Sequence, residues 1–212
     1  MSQGKRQAEK LSGEHRPVRL RLLDAAGRCL QRDGYAGLST RAVAVEAATQ
    51  LSQIHYHFGS KRGLVLALLQ HRNDELLDRQ GSMLGSETPL SCRWQQSCDF
   101  LEDDLRSGYV RVLQEIVASG YSDPELAAAA RQTLKGWFVL LRNFASDLRS
   151  IGGASSEVSA DQLSCLIGLA FLGAETMLLV DTELPVIASL RAVGSILSKI
   201  EGSQEEDAAH AG

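Results

Sequence analysis

The 212-residue sequence lacks the features that would place it in a membrane or in a secreted class. No stretch reaches the ~20 uninterrupted apolar residues needed to span a membrane, because Ser, Gly, Glu and Thr interrupt the most apolar segment, Leu163–Val180. The basic N-terminus is not followed by an apolar core, so it does not have the pattern of a secretory signal. We therefore expect a cytoplasmic protein that has no membrane partner.

Paired cysteines and enzyme motifs are also missing. The four cysteines, Cys29, Cys92, Cys98 and Cys165, include no CxxC pair, and in a reducing compartment they behave as small apolar side chains. A redox role for Cys92 and Cys98 stays open, although their spacing puts them on different faces of a helix. There is no GxSxG, HExxH or P-loop motif, no GxGxxG after a strand, and no conspicuous pair of carboxylates. The sequence thus predicts neither an enzyme nor a bound metal or other cofactor.

The formal net charge of −4 hides a strong asymmetry along the chain. Residues 1–62, the basic head, hold 11 of the 22 Lys and Arg but only 5 of the 26 Asp and Glu. Residues 63–212, the acidic body, hold the rest. A basic head on an acidic body indicates that the head contacts a polyanion, although uneven charge alone does not decide this.

Apolar residues repeat at helical spacing through nearly the whole chain, and no strand pattern or internal repeat is present. The sequence therefore predicts an all-α fold of about nine helices. The first helix carries Val18, Leu22 and Leu30 at this spacing and ends at Asp33-Gly34, where glycine supplies the C-terminal cap. The other helices are predicted at 40–47, 50–56, 61–80, 91–107, 109–119, 124–149, 158–180 and 185–200.

Three helices within residues 18–57, the last two short and joined by a tight turn, form a helix-turn-helix plan. In this plan the third helix lies in the DNA major groove and the second crosses the backbone. Ile54 and Phe58 are expected in the core against the first helix. Arg41 and Lys61 begin helices, where a side-chain cation and backbone amides can meet a phosphate together. A basic arm that could follow the DNA backbone or enter a minor groove contains Lys5, Arg6, Lys10 and Arg16.

The stretch 24–69 resembles the DNA-binding domain of the TetR family of transcriptional regulators. The matching elements are Ala25-Ala26, Gly34-Tyr35, Val43-Ala44 and, most diagnostic, the block HYHFGSK at 55–61 followed by Leu64. The resemblance covers about residues 16–66, and the rest is similar only in helix count and length. Together with the helix-turn-helix plan it predicts DNA contacts from Arg16, Ser39, Thr40, Arg41, Gln50, Ser52, Gln53, Tyr56, His57 and Lys61.

The sequence departs from the family pattern at four positions. The turn glycine is replaced by Ala48, the Ser that opens the recognition helix by Gln50, a frequent Lys by Leu51, and the leading Tyr of the block by His55. The turn at Ala48 must therefore form without the freedom of glycine at positive φ, or with mild strain. These changes prevent a base preference from being read by analogy, but they do not threaten the fold.

The helix predicted at 158–180 is apolar nearly all round, so both of its sides must be covered. In the resembled family this helix and the last one form a four-helix dimer interface, and Gly168 and Gly173 would let a partner helix approach. A two-fold dimer also suits a palindromic DNA site. A buried central helix in a monomer is the alternative. The predicted dimer interface consists of Leu163, Ile167, Ala170, Ala174, Met177, Val186, Leu190, Val193 and Leu197.

The middle of the body holds most of the large aromatic side chains. In the resembled family the equivalent helices enclose a mostly apolar ligand pocket, which aromatic side chains and a few polar groups suit. Glu175 interrupts an apolar helix, so its carboxylate must be paired, solvated or facing a cavity. Arg111 is a further candidate for orienting a ligand. The predicted lining is Trp94, Phe100, Asp104, Tyr109, Trp137, Phe138, Leu141, Phe171 and Glu175, with ordinary core packing as the alternative for each.

These observations predict a sequence-specific DNA-binding transcriptional regulator. The expected form is a homodimeric repressor at a palindromic operator, released when a small apolar or amphipathic ligand moves the helix at 61–80. A transcriptional activator of the same fold and a helical small-molecule binding module are the alternatives. The predicted organisation is a flexible basic arm at 1–15, a helix-turn-helix domain at 16–62, a regulatory and dimerisation domain at 63–200, and a disordered tail at 201–212.

Overall fold

In a computed structural model, the structure describes residues 17–151, 158–181 and 183–210, the side chains of 204–210 excepted. Within these ranges all regular secondary structure is helical, which confirms the predicted all-α class. The helices are α1 (Val18–Gly37), α2 (Thr40–Glu46), α3 (Leu51–Phe58), α4 (Lys61–Leu84), α5 (Leu90–Ser107), α6 (Tyr109–Ser119), α7 (Pro124–Ile151), α8 (Ala160–Val180) and α9 (Val186–His210). The predicted basic arm, including Arg16, lies outside the described residues.

The helix-turn-helix packs on a hydrophobic core that it shares with the body. Leu22 and Leu30 from α1, Ile54 from α3 and Leu68 from α4 are completely buried there. Ile116 from α6 belongs to the same cluster, as do Val112 and Leu126 from α6 and α7. The head is therefore not separated from the body by a solvated boundary, and α4, α6 and α7 carry apolar packing from one to the other.

A second hydrophobic cluster fills the body between α5, α7, α8 and α9. Trp94, Phe144 and Phe171 form its aromatic centre, with ring centroids 5.5 Å apart for Trp94 and Phe171 and 6.1 Å apart for Trp94 and Phe144. Leu190 and Leu197 of α9 complete it from the C-terminal side. These three aromatic side chains of the body therefore pack together in one cluster.

Two helices extend well beyond their predicted ends. Helix α4 continues through Gly81 to Leu84, past its predicted end at residue 80. Helix α9 continues to His210, which contradicts a disordered tail from residue 201. Glu201 is held in place because its carboxylate accepts hydrogen bonds from the backbone N–H groups of Leu90 and Ser91 at the start of α5.

The backbone at the helix-turn-helix has three residues at positive φ, and one of them, Gly59, has φ 73° at the end of α3. Gly34 has φ 67° near the end of α1, where the sequence predicts a glycine cap. Ala48 has φ 50° in the turn between α2 and α3, a left-handed conformation that an alanine adopts only with strain. Ser60 caps α4, since its hydroxyl accepts a hydrogen bond from Gly63 N–H at 3.0 Å. Ser39 and Gln50 occupy N-cap positions without a side-chain capping bond.

Helix α8 is, by length and composition, apolar enough to cross a membrane. About a third (33%) of its most apolar window is buried inside the protein. A core helix of a globular protein passes the same test, so this helix is only weak evidence for a membrane segment. Its exposed apolar side chains still require a covering surface.

Candidate nucleic-acid interface and ligand cavity

One face of helix α3 packs against the protein core, and the opposite face is exposed. Ile54 is fully buried against the core, as expected, whereas Phe58 is only half-buried and lies beneath the Arg19 guanidinium, whose carbon is 5.7 Å from the ring centroid. On the opposite face Ser52 is exposed and Tyr56 is 80% exposed. The sequence therefore produces a short rigid helix that presents polar side chains to an approaching surface.

The described residues include every predicted DNA contact except Arg16. Five of these side chains are exposed: Ser39, Arg41, Gln50, Ser52 and Tyr56. The other four, Thr40, Gln53, His57 and Lys61, are half-buried. The structure places all nine along α3 or at the starts of α2, α3 and α4, counting the N-cap residues Ser39 and Gln50.

Lys61 is already engaged by the end of α1. Its Nζ donates a hydrogen bond to the Ala36 carbonyl oxygen at 3.3 Å and lies 4.8 Å from the centroid of the Tyr35 ring. The side chain would have to leave these contacts to reach a phosphate. For His55 the sequence favours packing or a satisfied polar group over base reading; the side chain is exposed, and its Nδ1 lies 3.2 Å from the Gly59 carbonyl oxygen.

A cavity that opens to solvent lies in the body, and about 690 Å³ of empty space, open solvent included, adjoins its wall. Five helices, α4 to α8, contribute to its wall. Its lining consists of Asn73, Leu76, Gln80, Leu84, Trp94, Ser97, Leu101, Asp104, Tyr109, Leu113, Thr133, Leu134, Trp137, Leu141, Phe144, Ile167, Phe171, Leu172 and Glu175. No Lys, Arg or His is among these residues.

Seven of the nine predicted lining residues face this cavity, and two do not. Phe100 lies against the Arg79 guanidinium, whose carbon is 4.6 Å from the ring centroid, and Phe138 packs closely on Gly168 of α8. Both lie outside the lining because α5 and α7 turn these positions away from it. Arg111 is exposed, pairs with Glu115 and is not among the lining residues of the cavity.

Sequence reasoning missed the contribution of α4. Asn73 and Gln80 line the cavity from the same face of α4 as Leu76 and Leu84. Their spacing of three to four residues is the available signal, since a polar residue repeating within an apolar stripe faces the interior of the fold. Thr133 and Phe144 on α7 were missed as well.

Two carboxylates line the cavity in different electrostatic settings. Arg79 Nη2 donates to both oxygens of Asp104, at 2.7 and 2.8 Å, yet burial outweighs this pairing and raises the pKa of Asp104. Glu175 accepts a hydrogen bond from Gln114 Nε2 at 3.0 Å, and burial raises its pKa to about 7. Burial, reinforced by the nearby carboxylates, also raises the pKa of Tyr109.

Helix α6 connects the cavity to the helix-turn-helix. Tyr109 lines the cavity at its start, and Glu115 near its end accepts a hydrogen bond from Tyr35 N–H at 3.0 Å. Next to α6, Gln31 of α1 donates to the Ser107 carbonyl oxygen at 3.0 Å. A displacement of α6 would therefore reach α1 directly.

A second connection runs from the start of α4 to α7. Arg62 pairs with Asp123 at 2.7 Å and with Glu125 at 2.9 Å. Since α4 and α7 both line the cavity, these ion pairs give the start of α4 a second attachment to the cavity wall.

The exposed apolar stripe on α8 differs from the predicted dimer interface. Four predicted residues are buried inside the protomer: Ile167, Ala174, Leu190 and Leu197. Leu163, Val186 and Val193 are half-buried against the same core, whereas Ala170 and Met177 are exposed. The remaining exposed apolar residues, which the prediction omitted, are Leu166, Leu169 and Val180 on α8 and Ile196 and Ile200 on α9.

The sequence predicts that both glycines of α8 let a partner helix approach, but the structure places the two in different surroundings. Gly168 makes room for Phe138 of the same chain, while Gly173 faces open space on the exposed side. Only Gly173 is therefore available to a partner helix in this structure.

Comparison with known proteins gives concordant results. Residues 22–68 match the family described as bacterial regulatory proteins, tetR family. The HTH-type transcriptional regulator UidR of Escherichia coli (strain K12) is 23% identical over 204 residues, which cover 90% of this chain and 98% of that protein.

Two solved structures share the fold. A transcriptional regulator from Saccharomonospora viridis in complex with choline has a TM-score of 0.72 at 20% identity, covering 85% of this chain and 95% of that one. FadR from Bacillus subtilis in complex with stearoyl-CoA has a TM-score of 0.65 at 15% identity, covering 84% and 96%.

Proposed function

Because this chain is a transcriptional regulator of the TetR family with a DNA-binding domain, we propose that it is a cytoplasmic homodimeric repressor that binds a palindromic operator and is released by a small ligand. The observation that carries this proposal is the free face of α3. Ile54 packs α3 against the hydrophobic core, and the exposed Ser52 and Tyr56 are available for base and phosphate contacts. Residues 16–62 are the proposed DNA-binding domain, and residues 63–200 the regulatory and dimerisation domain.

The proposed dimer uses the exposed stripe of α8 and α9. Leu166, Leu169 and Val180 are 59%, 58% and 81% exposed, and Ile196 of α9 is 57% exposed. Side chains at this spacing form one continuous apolar face, which a second copy would cover by pairing α8 and α9 with their symmetry mates. A two-fold dimer would place two α3 helices at a fixed separation, as an inverted repeat requires.

Ligand release is proposed to act through α4 and α6. Both helices line the cavity, and both make polar contacts outside it: Glu115 accepts from Tyr35 N–H, and Arg62 pairs with Asp123. A ligand that separates α6 from α8 would shift α1 and α4, and with them the spacing of the recognition helices. The factor by which such a ligand lowers DNA affinity cannot exceed the factor by which it binds the displaced conformation more tightly than the original one.

The structural neighbours support a small-molecule ligand without fixing its charge. One contains choline, which is a cation, and another contains stearoyl-CoA, which is an anion. The nature of the ligand therefore has to be inferred from the residues of this chain.

Selection of the purified protein against a random double-stranded DNA pool tests the proposed function. We expect enrichment of an inverted repeat with half-site centres about 10 base pairs, or a multiple of that, apart. Affinity for this sequence should fall steeply with salt, because phosphate contacts release counterions.

A pair of tyrosine variants locates the interface. Tyr56→Ala should weaken binding about tenfold or more, the loss expected for a group at the DNA surface. Tyr121→Ala is the matched control, because Tyr121 is 88% exposed but lies between α6 and α7 in the body. Absence of any enriched motif from a folded dimer, or equal losses in both variants, would refute the proposed function.

A further inference from the structure

Within the described structure the cavity combines aromatic walls with an amide oxygen that has no hydrogen-bond partner and a carboxylate whose partner is a neutral amide. We propose that its ligand is an organic cation, an ammonium or amine head on an aromatic or apolar body, with the head beside Glu175. This inference rests on the proposed function, since it names the ligand class of the proposed regulatory site.

The charge of the lining is the first argument. Glu175 lines the cavity, and in the described part of the chain its recorded polar partner is a neutral amide, Gln114 at 3.0 Å. Asp104 is paired with Arg79, but Arg79 is not part of the lining. A ligand in the cavity thus meets an acidic wall without a basic side chain, which favours a cation and opposes a carboxylate or phosphate.

The second argument comes from Asn73. Its Oδ1 is buried and has no hydrogen-bond partner within the described structure, which is costly for an amide oxygen. A ligand that donates an N–H would satisfy this acceptor. An acceptor-only ligand would leave it unpaired.

The aromatic walls supply the third argument. Both indole N–H groups are already used, since Trp94 donates to the Leu190 carbonyl oxygen at 2.6 Å and Trp137 to Gln80 Oε1 at 2.9 Å. The rings therefore offer a ligand their π faces rather than a donor. Cations are attracted to such faces, and more strongly where water is excluded.

Binding of this class should depend on pH through Glu175. Burial raises the pKa of Glu175 to about 7, and the groups around it are Asp104 on α5, Tyr109 and Gln114 on α6, and Arg79 on α4. The carboxyl is mostly protonated and neutral at pH 6 and mostly ionised at pH 8. The affinity for an amine that stays protonated over this range should therefore rise by up to about tenfold between these values.

Three soluble probes with one body and different heads test the proposal: phenylbutylamine, phenylbutanol and phenylbutyrate. The two tryptophans of the sequence both line the cavity, so tryptophan fluorescence reports binding without DNA. We expect phenylbutylamine to bind about tenfold or more tightly than either other probe at pH 8. Because no DNA is present, failure of this experiment is distinguishable from failure of the DNA selection.

Two variants test whether the Glu175 carboxylate causes the preference for the amine probe. Glu175→Gln keeps the size of the side chain, and it should abolish the preference for the amine and its pH dependence while leaving phenylbutanol binding unchanged. Glu87→Gln, an exposed carboxylate before α5, is the control and should bind as the wild type does. Equal or tighter binding of the alcohol or the carboxylate by the wild-type protein would overturn the proposal, as would absence of amine binding or an undiminished preference in Glu175→Gln. The wild-type comparison stands even where a variant fails to fold.

Discussion

At the residue scale, the turn of the helix-turn-helix contains a strained alanine. Ala48 is exposed and has φ 50°, a region that costs a side chain with a Cβ about 1–2 kcal/mol but costs glycine little. This sequence has alanine where the TetR-family pattern has glycine. The strain arises because the Cβ of alanine is present at a positive φ. The buried neighbours Ala44 and Ala47 hold the turn in place.

We expect Ala48→Gly to raise the free energy of unfolding by about 0.5–1 kcal/mol, because relief of strain exceeds the added entropy of the unfolded chain. Chemical denaturation measures this change. The matched control is Ala128→Gly at an exposed position within α7, which should lower stability by about 1 kcal/mol because glycine is a poor helix former. A loss of stability in Ala48→Gly as large as in the control would contradict the left-handed turn.

At the scale of elements, the last helix caps the start of α5. Helix α5 begins without a side-chain cap from its own N-cap residue, Pro89. Glu201 of α9 takes that place, accepting hydrogen bonds from the N–H groups of Leu90 and Ser91 and from the Ser91 hydroxyl. A carboxylate at a helix N-terminus also interacts favourably with the helix dipole. The contact therefore fixes the C-terminal helix to the body.

Glu201→Ala should lower the free energy of unfolding by about 1–2 kcal/mol, since it leaves N–H groups at the start of α5 without partners. Thermal unfolding checks this expectation. Glu183→Ala, an exposed carboxylate outside the helices, is the control and should change stability by less than about 0.5 kcal/mol. Identical stability of both variants would show that α9 is not held to α5 through Glu201.

At the scale of the whole molecule, the exposed stripe of α8 is the feature that a monomer does not explain. The protomer buries Ile167, Phe171 and Ala174 on one side of α8 and leaves Leu166 and Leu169 uncovered. Contiguous apolar surface of this kind marks an interaction site in soluble proteins. In the proposed dimer, both sides of α8 are covered.

Leu169→Lys should convert the dimer to a monomer at micromolar concentration, because burying an unpaired ammonium in an apolar interface costs several kcal/mol. Sedimentation equilibrium measures the oligomeric state. Val139→Lys introduces the same charge at a 56% exposed apolar position on α7 rather than on α8 or α9, and should remain dimeric. A Leu169→Lys protein that stays dimeric, or a wild-type protein that is monomeric, would exclude this interface.

The sequence by itself determined the helical class, most helix boundaries and the position of the helix-turn-helix, because these depend on local periodicity, caps and one compact motif. It also singled out Glu175, since an acidic residue in an apolar helix has few ways to be accommodated. The tertiary structure decided which side of α8 faces the core, because a helix that is apolar all round carries no signal of its orientation. It likewise decided that Phe100 and Phe138 lie outside the cavity. The hydrogen bond between Leu90 N–H and Glu201 joins residues 111 positions apart in the sequence. It depends on tertiary packing, so no local sequence pattern predicts it.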